Sequence, residues 1–150
     1  MRTPNPDFAA RVRASFARQP YMELLGTALT VVEPGRVEMH LPFRAALGQQ
    51  HGFFHGGVVG SIADNCAGYA AFTLAPADHS ILTVEYKLNL LAPAAGDLLI
   101  GRGRVVRPGR TLVISAVDLF VARDGAEKLC ATALATLMLM AGMEDAPPAR

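Results

Sequence analysis

One long apolar segment, residues 58–74, constrains the fold of this chain more than any other part of its sequence. Asp64 is its only charged residue, and Asp64 and Asn65 lie near its middle, where a bilayer would penalise both polar groups. We therefore expect a helix buried in a water-soluble protein instead of a membrane span. Since 51% of the 150 residues are hydrophobic, one domain of this length can build a core around such a helix.

At about 100° per residue, the predicted helix has two unlike faces. The bulky face consists of Val58, Ile62, Cys66, Tyr69 and Phe72. The opposite face is small and carries the carboxylate, with Gly57, Gly60, Ser61, Asp64, Ala67, Gly68 and Ala71. Close packing against a second backbone would explain the glycines, but it would not explain Asp64. The small face therefore predicts contact with a partner subunit or a substrate.

The N-terminal segment predicts a second, shorter helix. Residues 7–19 carry Phe8, Val12 and Phe16 at four-residue spacing, which is typical of an amphipathic helix, and Pro20 should end it. The arginines of this segment are not joined by an apolar core, so a secretory signal is not expected.

The rest of the chain has the alternation of half-buried strands. The predicted strands cover residues 27–33, 36–43, 81–91, 97–106, 111–123 and 128–140. In the third strand, Val84, Tyr86, Leu88 and Leu90 should occupy one face, and Thr83, Glu85, Lys87 and Asn89 the other. Pro34-Gly35, Pro108-Gly109 and Asp124-Gly125 mark hairpin turns.

This order of elements predicts an α+β fold in which a curved antiparallel sheet of about six strands wraps around one long central helix. We expect residues 1–150 to form a single domain. Residues 1–20 should be an N-terminal helical extension, and residues 144–150, with Pro147-Pro148, a disordered tail.

Charge and cysteine content narrow the possible partners and compartment. The net charge is +1 and there is no long block of one sign, so neither nucleic acid nor a membrane surface is expected as a partner. With only Cys66 and Cys130, we expect buried reduced thiols and no disulfide framework. We therefore expect a cytoplasmic protein.

The run from Gln49 to Gly57 leads directly into the central helix and is the best candidate for a reactive site. A helix that starts at paired glycines presents bare N–H groups that can stabilise a developing oxyanion, although such glycines more often only form a turn. Asp64 lies about 12 Å further along the axis from Gly56, at 1.5 Å per residue. An antiparallel copy of the helix from a second subunit would bring Asp64 of one chain near Gly56 of the other. A purely structural carboxylate remains the alternative for Asp64.

This run, followed by Asp64, resembles the signature of hotdog-fold acyl-CoA thioesterases of the PaaI type, which include phenylacetate-pathway and 4-hydroxybenzoyl-CoA thioesterases. The resemblance extends from about Tyr21 to Met140. It implies that Gln49 holds the thioester or a water, that the Gly56 N–H is the oxyanion donor, and that His55 stabilises the loop or the carbonyl. It also implies that Asp64 is the general base or nucleophile, and that Thr83 orients the water.

The same resemblance implies a groove for coenzyme A, which is part of the substrate, and no metal or redox cofactor. The candidates for its phosphates are Arg107 and Arg110, with Lys87 and Arg104 less favoured. An acyl pocket is expected from Phe53, Phe54 and the small face of the helix, including Gly57. Phe54 could equally belong to the core.

Several alternatives remain at this stage. A non-catalytic acyl-CoA binder or sensor would keep the same groove, and hotdog hydratases or dehydratases also pair a histidine with an acid. His51 and His55 lack a third strong metal ligand, and Ser61 lacks the pattern of a serine hydrolase. The resemblance implies a dimer or a dimer of dimers. It does not choose between general-base and nucleophilic chemistry.

Overall fold

A computed structural model of the chain describes residues 1–143 and 145. It contains three α-helices, α1 (Phe8–Ala17), α2 (Pro20–Leu25) and α3 (Gly56–Phe72), and a short 3-10 helix, Ala45–Leu47. The central helix is present as predicted. Pro20 does not only end the first helix, because it is also the first residue of α2, a position that tolerates proline. No helix was expected at the position of α2.

Six strands form one antiparallel sheet: β1 (Ala28–Glu33), β2 (Arg36–Pro42), β3 (His79–Leu90), β4 (Leu98–Pro108), β5 (Leu112–Arg123) and β6 (Ala126–Ala141). Their spatial order is β1-β2-β4-β5-β6-β3, so β3 pairs with β6 and lies at one edge. The three predicted hairpins join neighbouring strands. At Asp124-Gly125 both residues have positive φ, 52° and 78°, which fits the right-handed twist of the strands.

Helix α3 lies against the concave side of the sheet, closest to two glycines of β4. A Cβ added at Gly101 would come within 2.7 Å of Cys66 Sγ, and one added at Gly103 within 2.4 Å of the Cys66 carbonyl oxygen. Both glycines therefore let the helix backbone approach the strand. With α3 covered on one side by six curved strands, the architecture is the hotdog fold that the resemblance implied.

The prediction for the two faces of α3 is wrong in part. Gly60, Ala67 and Ala71, expected on the small face, are fully buried. The sheet curves around more of the helix than a flat sheet would, so the buried arc is wider than the bulky residues alone indicate. The partly or fully exposed positions on the small face are Gly57, Ser61, Asp64 and Gly68.

The alternation predicted for β3 is also wrong in part, because of a β-bulge. The pairing of β3 with β6 shifts between Thr83 and Glu85, so Val84 is an extra residue. After the bulge the strand continues with the opposite phase. Thr83 therefore points to α3, on the same side as Tyr86 and Leu88, instead of to the opposite side.

Two further sequence predictions concern the cysteines and the C-terminus. Cys66 and Cys130 are both free and buried, as expected. The predicted tail, residues 144–150, lies outside the described residues except for Asp145, whose carboxylate pairs with Arg18 at 2.7 Å. Among the helices that the structure describes, none has the length and apolar character needed to cross a bilayer.

Candidate active site

The first turn of α3 leaves one backbone amide without a partner. His55 is the N-cap residue, and its Nδ1 accepts a hydrogen bond of 2.9 Å from the N–H of Gly57. The amides of Val58 and Val59 donate to the carbonyl oxygen of His55. Within the described residues, the N–H of Gly56 donates to no acceptor. The expected free N–H group is thus present at Gly56, whereas the N–H of Gly57 is already bonded to the cap residue His55.

A tight turn around Gln49 supports this helix start. The N–H of Gln49 donates to the Phe53 carbonyl, and the N–H of Gly52 donates to the Gln49 carbonyl, each at 2.9 Å. Gly52 has φ 79°, a left-handed conformation that glycine adopts without strain. The side-chain oxygen of Gln49 accepts the His51 N–H. The side-chain nitrogen of Gln49 remains available as a donor to a ligand.

A pocket of about 410 Å³ opens beside Gly56. Its lining includes Gln49, Phe53, Phe54, Gly56, Leu90 and Leu91, and among the described residues Gln49 is its only polar side chain. Phe54 is also part of the core, because its buried ring packs edge-on against Phe43 at 5.1 Å between centroids. We call this the Gly56 pocket.

Asp64 is held on the outward side of α3 by one hydrogen bond. The Thr83 hydroxyl donates to Asp64 Oδ1 at 2.7 Å. Asp64 is half-buried and Thr83 is exposed, so solvent or a ligand can reach both side chains. The bulge at Val84 makes this contact possible, since it turns Thr83 toward the helix.

A second, smaller pocket of about 130 Å³ contains Asp64. Its lining includes Ser15, Gln19, Asn65, Tyr69 and Thr83, and most of these side chains are polar. We call this the Asp64 pocket. Sequence reasoning missed Ser15 as a candidate. A signal was present, because a serine falls on the apolar stripe formed by Phe8, Val12 and Phe16 in the N-terminal helix.

The two pockets share no lining residue in one chain. Gly56 and Asp64 lie on the same helix, about 12 Å apart along its axis. A single ligand carbonyl cannot be within hydrogen-bond reach of both groups at this separation. Thr83 is therefore close to Asp64, and Gln49 is close to Gly56. These two pairs of residues are not close to each other within one subunit.

The basic residues predicted for coenzyme A line neither pocket. Arg107, at the end of β4, and Arg110, in the turn after it, are exposed. This turn lies at the end of the sheet where β3 begins, because the Leu139 N–H donates to the Thr111 carbonyl at 2.8 Å and Leu139 pairs with Ile81. It is therefore at the Asp64 end of the molecule.

The two less favoured basic residues already have polar contacts. The Lys87 ammonium donates to Asn89 Oδ1 at 2.5 Å, and Arg104 forms an exposed ion pair with Asp118 at 3.3 Å. Neither lines the two pockets. Arg107 and Arg110 form no ion pair among the described residues and so remain the freer pair.

No cysteine or metal-binding cluster competes with Asp64 in the part of the chain that the structure describes. Burial raises the pKa of the Cys66 thiol, and it raises the pKa of Cys130 to about 11, so both thiols stay protonated at neutral pH. Among the described residues, no three His, Cys, Asp or Glu side chains are grouped closely enough to hold a metal ion.

Comparison with known proteins gives a family match. Residues 51–128, which include the Gly56 and Asp64 positions, match the sequence model of the thioesterase superfamily. The solved structure of a thioesterase family protein from Silicibacter pomeroyi is 47% identical and has a TM-score of 0.89. The match covers 90% of this chain and 99% of that one.

Two further solved structures have the same fold. A phenylacetic acid degradation-related protein from Ralstonia eutropha is 28% identical with a TM-score of 0.75, covering 87% of this chain and 98% of its own. A thioesterase from Haemophilus influenzae has a TM-score of 0.82 over 96% of this chain and 98% of its own. At 18% identity the latter shows similarity of fold alone.

Proposed function

Because the chain belongs to the thioesterase superfamily, we propose that it hydrolyses acyl-CoA thioesters to a free acid and coenzyme A. The observation that carries this proposal is the free Gly56 amide at the start of the helix that also bears Asp64. An unpaired N–H at a helix start is suited to a negatively charged oxygen, and a carboxylate is suited to activating water. Hydrolysis by these two groups needs neither a metal nor a redox cofactor.

We further propose that the enzyme is a dimer that pairs strand β3 with its own copy. Strand β3 ends the sheet, and its free edge has no strand partner among the described residues. Leu82, Val84, Tyr86 and Leu90 are all more than two-fifths exposed along it. A long edge strand with exposed apolar side chains is an aggregation hazard unless another strand covers it.

The contacts of β3 with α3 support one register for such a dimer. Thr83 contacts Asp64, and Leu90 lies against Gly56, where an added Cβ would be 3.4 Å from Leu90 Cδ1. Because Val84 is an extra residue in β3, a two-fold axis at Lys87 pairs position 83 with position 90 of the partner. This pairing brings Asp64 of one subunit toward the Gly56 amide of the other.

The position of Gly60 supports the same axis. Gly60 is midway between Gly56 and Asp64 on α3, so a two-fold that exchanges those two residues must pass close to it. In the structure Gly60 lies against Tyr86, since an added Cβ would be 3.1 Å from the tyrosine oxygen. The strand register and the helix spacing are therefore both consistent with one axis near Lys87, and each interface would then contain two equivalent sites.

In the proposed reaction, the thioester carbonyl oxygen accepts the Gly56 N–H, with the Gln49 amide as a second donor. Asp64 takes a proton from water, and the hydroxide attacks the carbonyl carbon to give a tetrahedral oxyanion. This intermediate expels the thiolate, which recovers the proton from Asp64. Thr83 fixes Asp64 Oδ1 and leaves Oδ2 to the water.

In the alternative route, Asp64 attacks the carbonyl carbon itself and expels the thiolate. Water then hydrolyses the resulting anhydride and regenerates the carboxylate. A single turnover in heavy-oxygen water can separate the two routes if water attacks the aspartyl side of the anhydride, because the label then enters Asp64. In the general-base route it enters only the product acid.

Arg107 and Arg110 are our candidates for the phosphates of coenzyme A. Their turn lies at the Asp64 end of the sheet, and guanidinium groups bind phosphate oxygens in a bidentate manner.

We place the enzyme in the cytoplasm, since both of its thiols are free and a reducing compartment keeps them so.

The test is release of free thiol from a panel of aryl and fatty acyl-CoAs. We expect the Asp64→Asn variant to lose roughly a hundredfold or more of kcat while it remains folded. Asp97→Asn, which changes an exposed carboxylate in a turn, serves as the matched control and should retain activity. Tight acyl-CoA binding without turnover by the wild type would instead indicate a binding protein. Equal rates for wild type and Asp64→Asn would refute the mechanism.

A further inference from the structure

Helix α1 lies outside the segment that matches the family model, yet it forms one wall of the Asp64 pocket. Ser15, in α1, and Gln19, just after it, line the pocket together with Asp64 and Thr83. The residues that make this wall therefore precede the segment that the family model matches. They are well placed to determine which acyl groups fit.

This wall is fixed to the rest of the molecule by Arg11. Its guanidinium donates to the carbonyl oxygens of Pro76 and His79, and it lies 4.2 Å from the centroid of the Phe72 ring. Val12, on the next position, is fully buried. Such contacts hold α1 in one place and give the pocket a defined inner end.

The inner end of the pocket carries two hydroxyl groups. Ser15 Oγ and Tyr69 Oη are 3.1 Å apart, and both residues are more than nine-tenths buried. Burial raises the pKa of Tyr69, so its hydroxyl keeps its proton. After one hydroxyl donates to the other, the pair still has one donor proton and several lone pairs. Those remaining groups can bind a polar atom of a ligand.

The pocket is also small. A cavity of about 150 Å³ accommodates one benzene molecule, so a pocket of about 130 Å³ suits an acyl group of similar size. The phosphates of coenzyme A need solvent and cations, so the coenzyme must extend away from the walled end. The acyl group is then the part of the substrate that enters the Asp64 pocket.

We propose that the hydroxyl pair of Ser15 and Tyr69 is the specificity-determining element of this pocket. It selects compact acyl groups that carry a hydrogen-bonding group at their far end over alkyl groups of the same size. This inference rests on the proposed thioesterase function.

The test compares two acyl-CoAs of equal length, ω-hydroxyhexanoyl-CoA and heptanoyl-CoA, which differ by a hydroxyl in place of a methyl group. We expect the wild type to favour the hydroxylated substrate in kcat/KM by roughly fivefold to tenfold, the value of one hydrogen bond. Tyr69→Phe and Ser15→Ala should each lower this ratio. The double variant should bring it to about one, with little change for heptanoyl-CoA.

Ser115→Ala is the matched control, because it removes another buried serine hydroxyl outside the pocket. It should leave the ratio unchanged. Circular dichroism of each variant verifies the fold, and Ser15→Ala tests the idea even if Tyr69→Phe is unstable. An unchanged ratio in the double variant overturns the inference while the thioesterase activity stands. Hydrolysis of hexadecanoyl-CoA as fast as heptanoyl-CoA also overturns it. A wild type that hydrolyses no thioester overturns both proposals.

Discussion

The two sides of helix α3 differ more than any other pair of regions in the molecule. On the inward side, Gly101 and Gly103 of β4 touch the helix so closely that no additional carbon fits. On the outward side, within the part of the chain that the structure describes, an added Cβ at Gly68 would meet nothing within 4 Å, and Asp64 has one hydrogen bond, to Thr83. The inward side is filled by the sheet of the same chain, whereas the outward side leaves space for a ligand or a partner subunit.

The inward side of α3 therefore contributes to stability, and the outward side carries the candidate reactive groups. The inward contacts hold the helix at a fixed height above the sheet, which sets the position of every outward residue. The outward side then presents a free amide at Gly56 and a carboxylate at Asp64, too far apart for one ligand in one subunit.

Complementation between two inactive variants gives the largest expected change. Gly56→Pro removes the free amide and is compatible with the helix start, because proline suits the first helical position and His55 before it is already extended, with ψ 139°. Asp64→Asn removes the base. Each homodimer should lose roughly a hundredfold or more of kcat. Heterodimers isolated with two affinity tags should regain about half of wild-type activity, since one of their two sites is intact.

Gly56→Ala is the control for this experiment, because it also adds a Cβ at position 56 but keeps the N–H. Its activity should stay far above that of Gly56→Pro. If purified heterodimers remain as inactive as the homodimers, Asp64 and Gly56 do not act across a subunit interface.

Glycine substitutions on the two sides of α3 should have opposite effects on stability. Gly103→Ala places a Cβ 2.4 Å from the Cys66 carbonyl, so we expect the free energy of unfolding to fall by about 3 kcal/mol. Gly68→Ala adds a methyl group in open space within a helix and should raise it by up to about 1 kcal/mol. Urea denaturation at one protein concentration measures both. Similar losses in the two variants would contradict the contrast between the two sides.

A charge on the β3 edge should weaken the dimer. Val84→Glu puts a carboxylate on the edge that we expect to pair with its copy, and dimer dissociation should become at least about tenfold easier. Val106→Glu is closely matched, because Val106 is also the extra residue of a bulge and the two valines are 56% and 55% exposed. Sedimentation at several concentrations would compare them. Equal dissociation of both variants would place the interface elsewhere.

The cap of α3 should give the smallest effect. His55→Ala removes the acceptor of the Gly57 N–H, so we expect a loss of about 1 kcal/mol in the free energy of unfolding. His55→Asn supplies another side-chain acceptor and should restore most of it. Chemical denaturation of the three proteins at equal concentration measures the difference. If the asparagine variant is no more stable than the alanine variant, the Nδ1 contact does not stabilise the helix.

Much of the fold follows from local sequence patterns. The turn signals at Pro34-Gly35 and Asp124-Gly125 lie between strands that pair as hairpins, and the apolar segment with Asp64 forms the central helix to within two residues at each end. These features depend on short-range backbone preferences and hydrophobic periodicity. Both are visible in a single sequence.

The features that sequence patterns did not predict depend on long-range packing. Alternation cannot locate the bulge at Val84, because the shift arises from pairing with a strand some fifty residues away. The burial of Gly60 on α3 depends on the curvature of the whole sheet. The place of Ser15 beside Tyr69 requires α1 to fold back across the end of α3, which only its tertiary contacts determine.

The bulge in β3 has a consequence for how this molecule can change over time. The strand contains one residue more than its pairing with β6 uses. Deletion of Val84 would leave Thr83 opposite Leu137 and Glu85 opposite Thr136, so the Thr83 side chain would still face Asp64. The strand can therefore lose one residue at this position without turning Thr83 away from the helix.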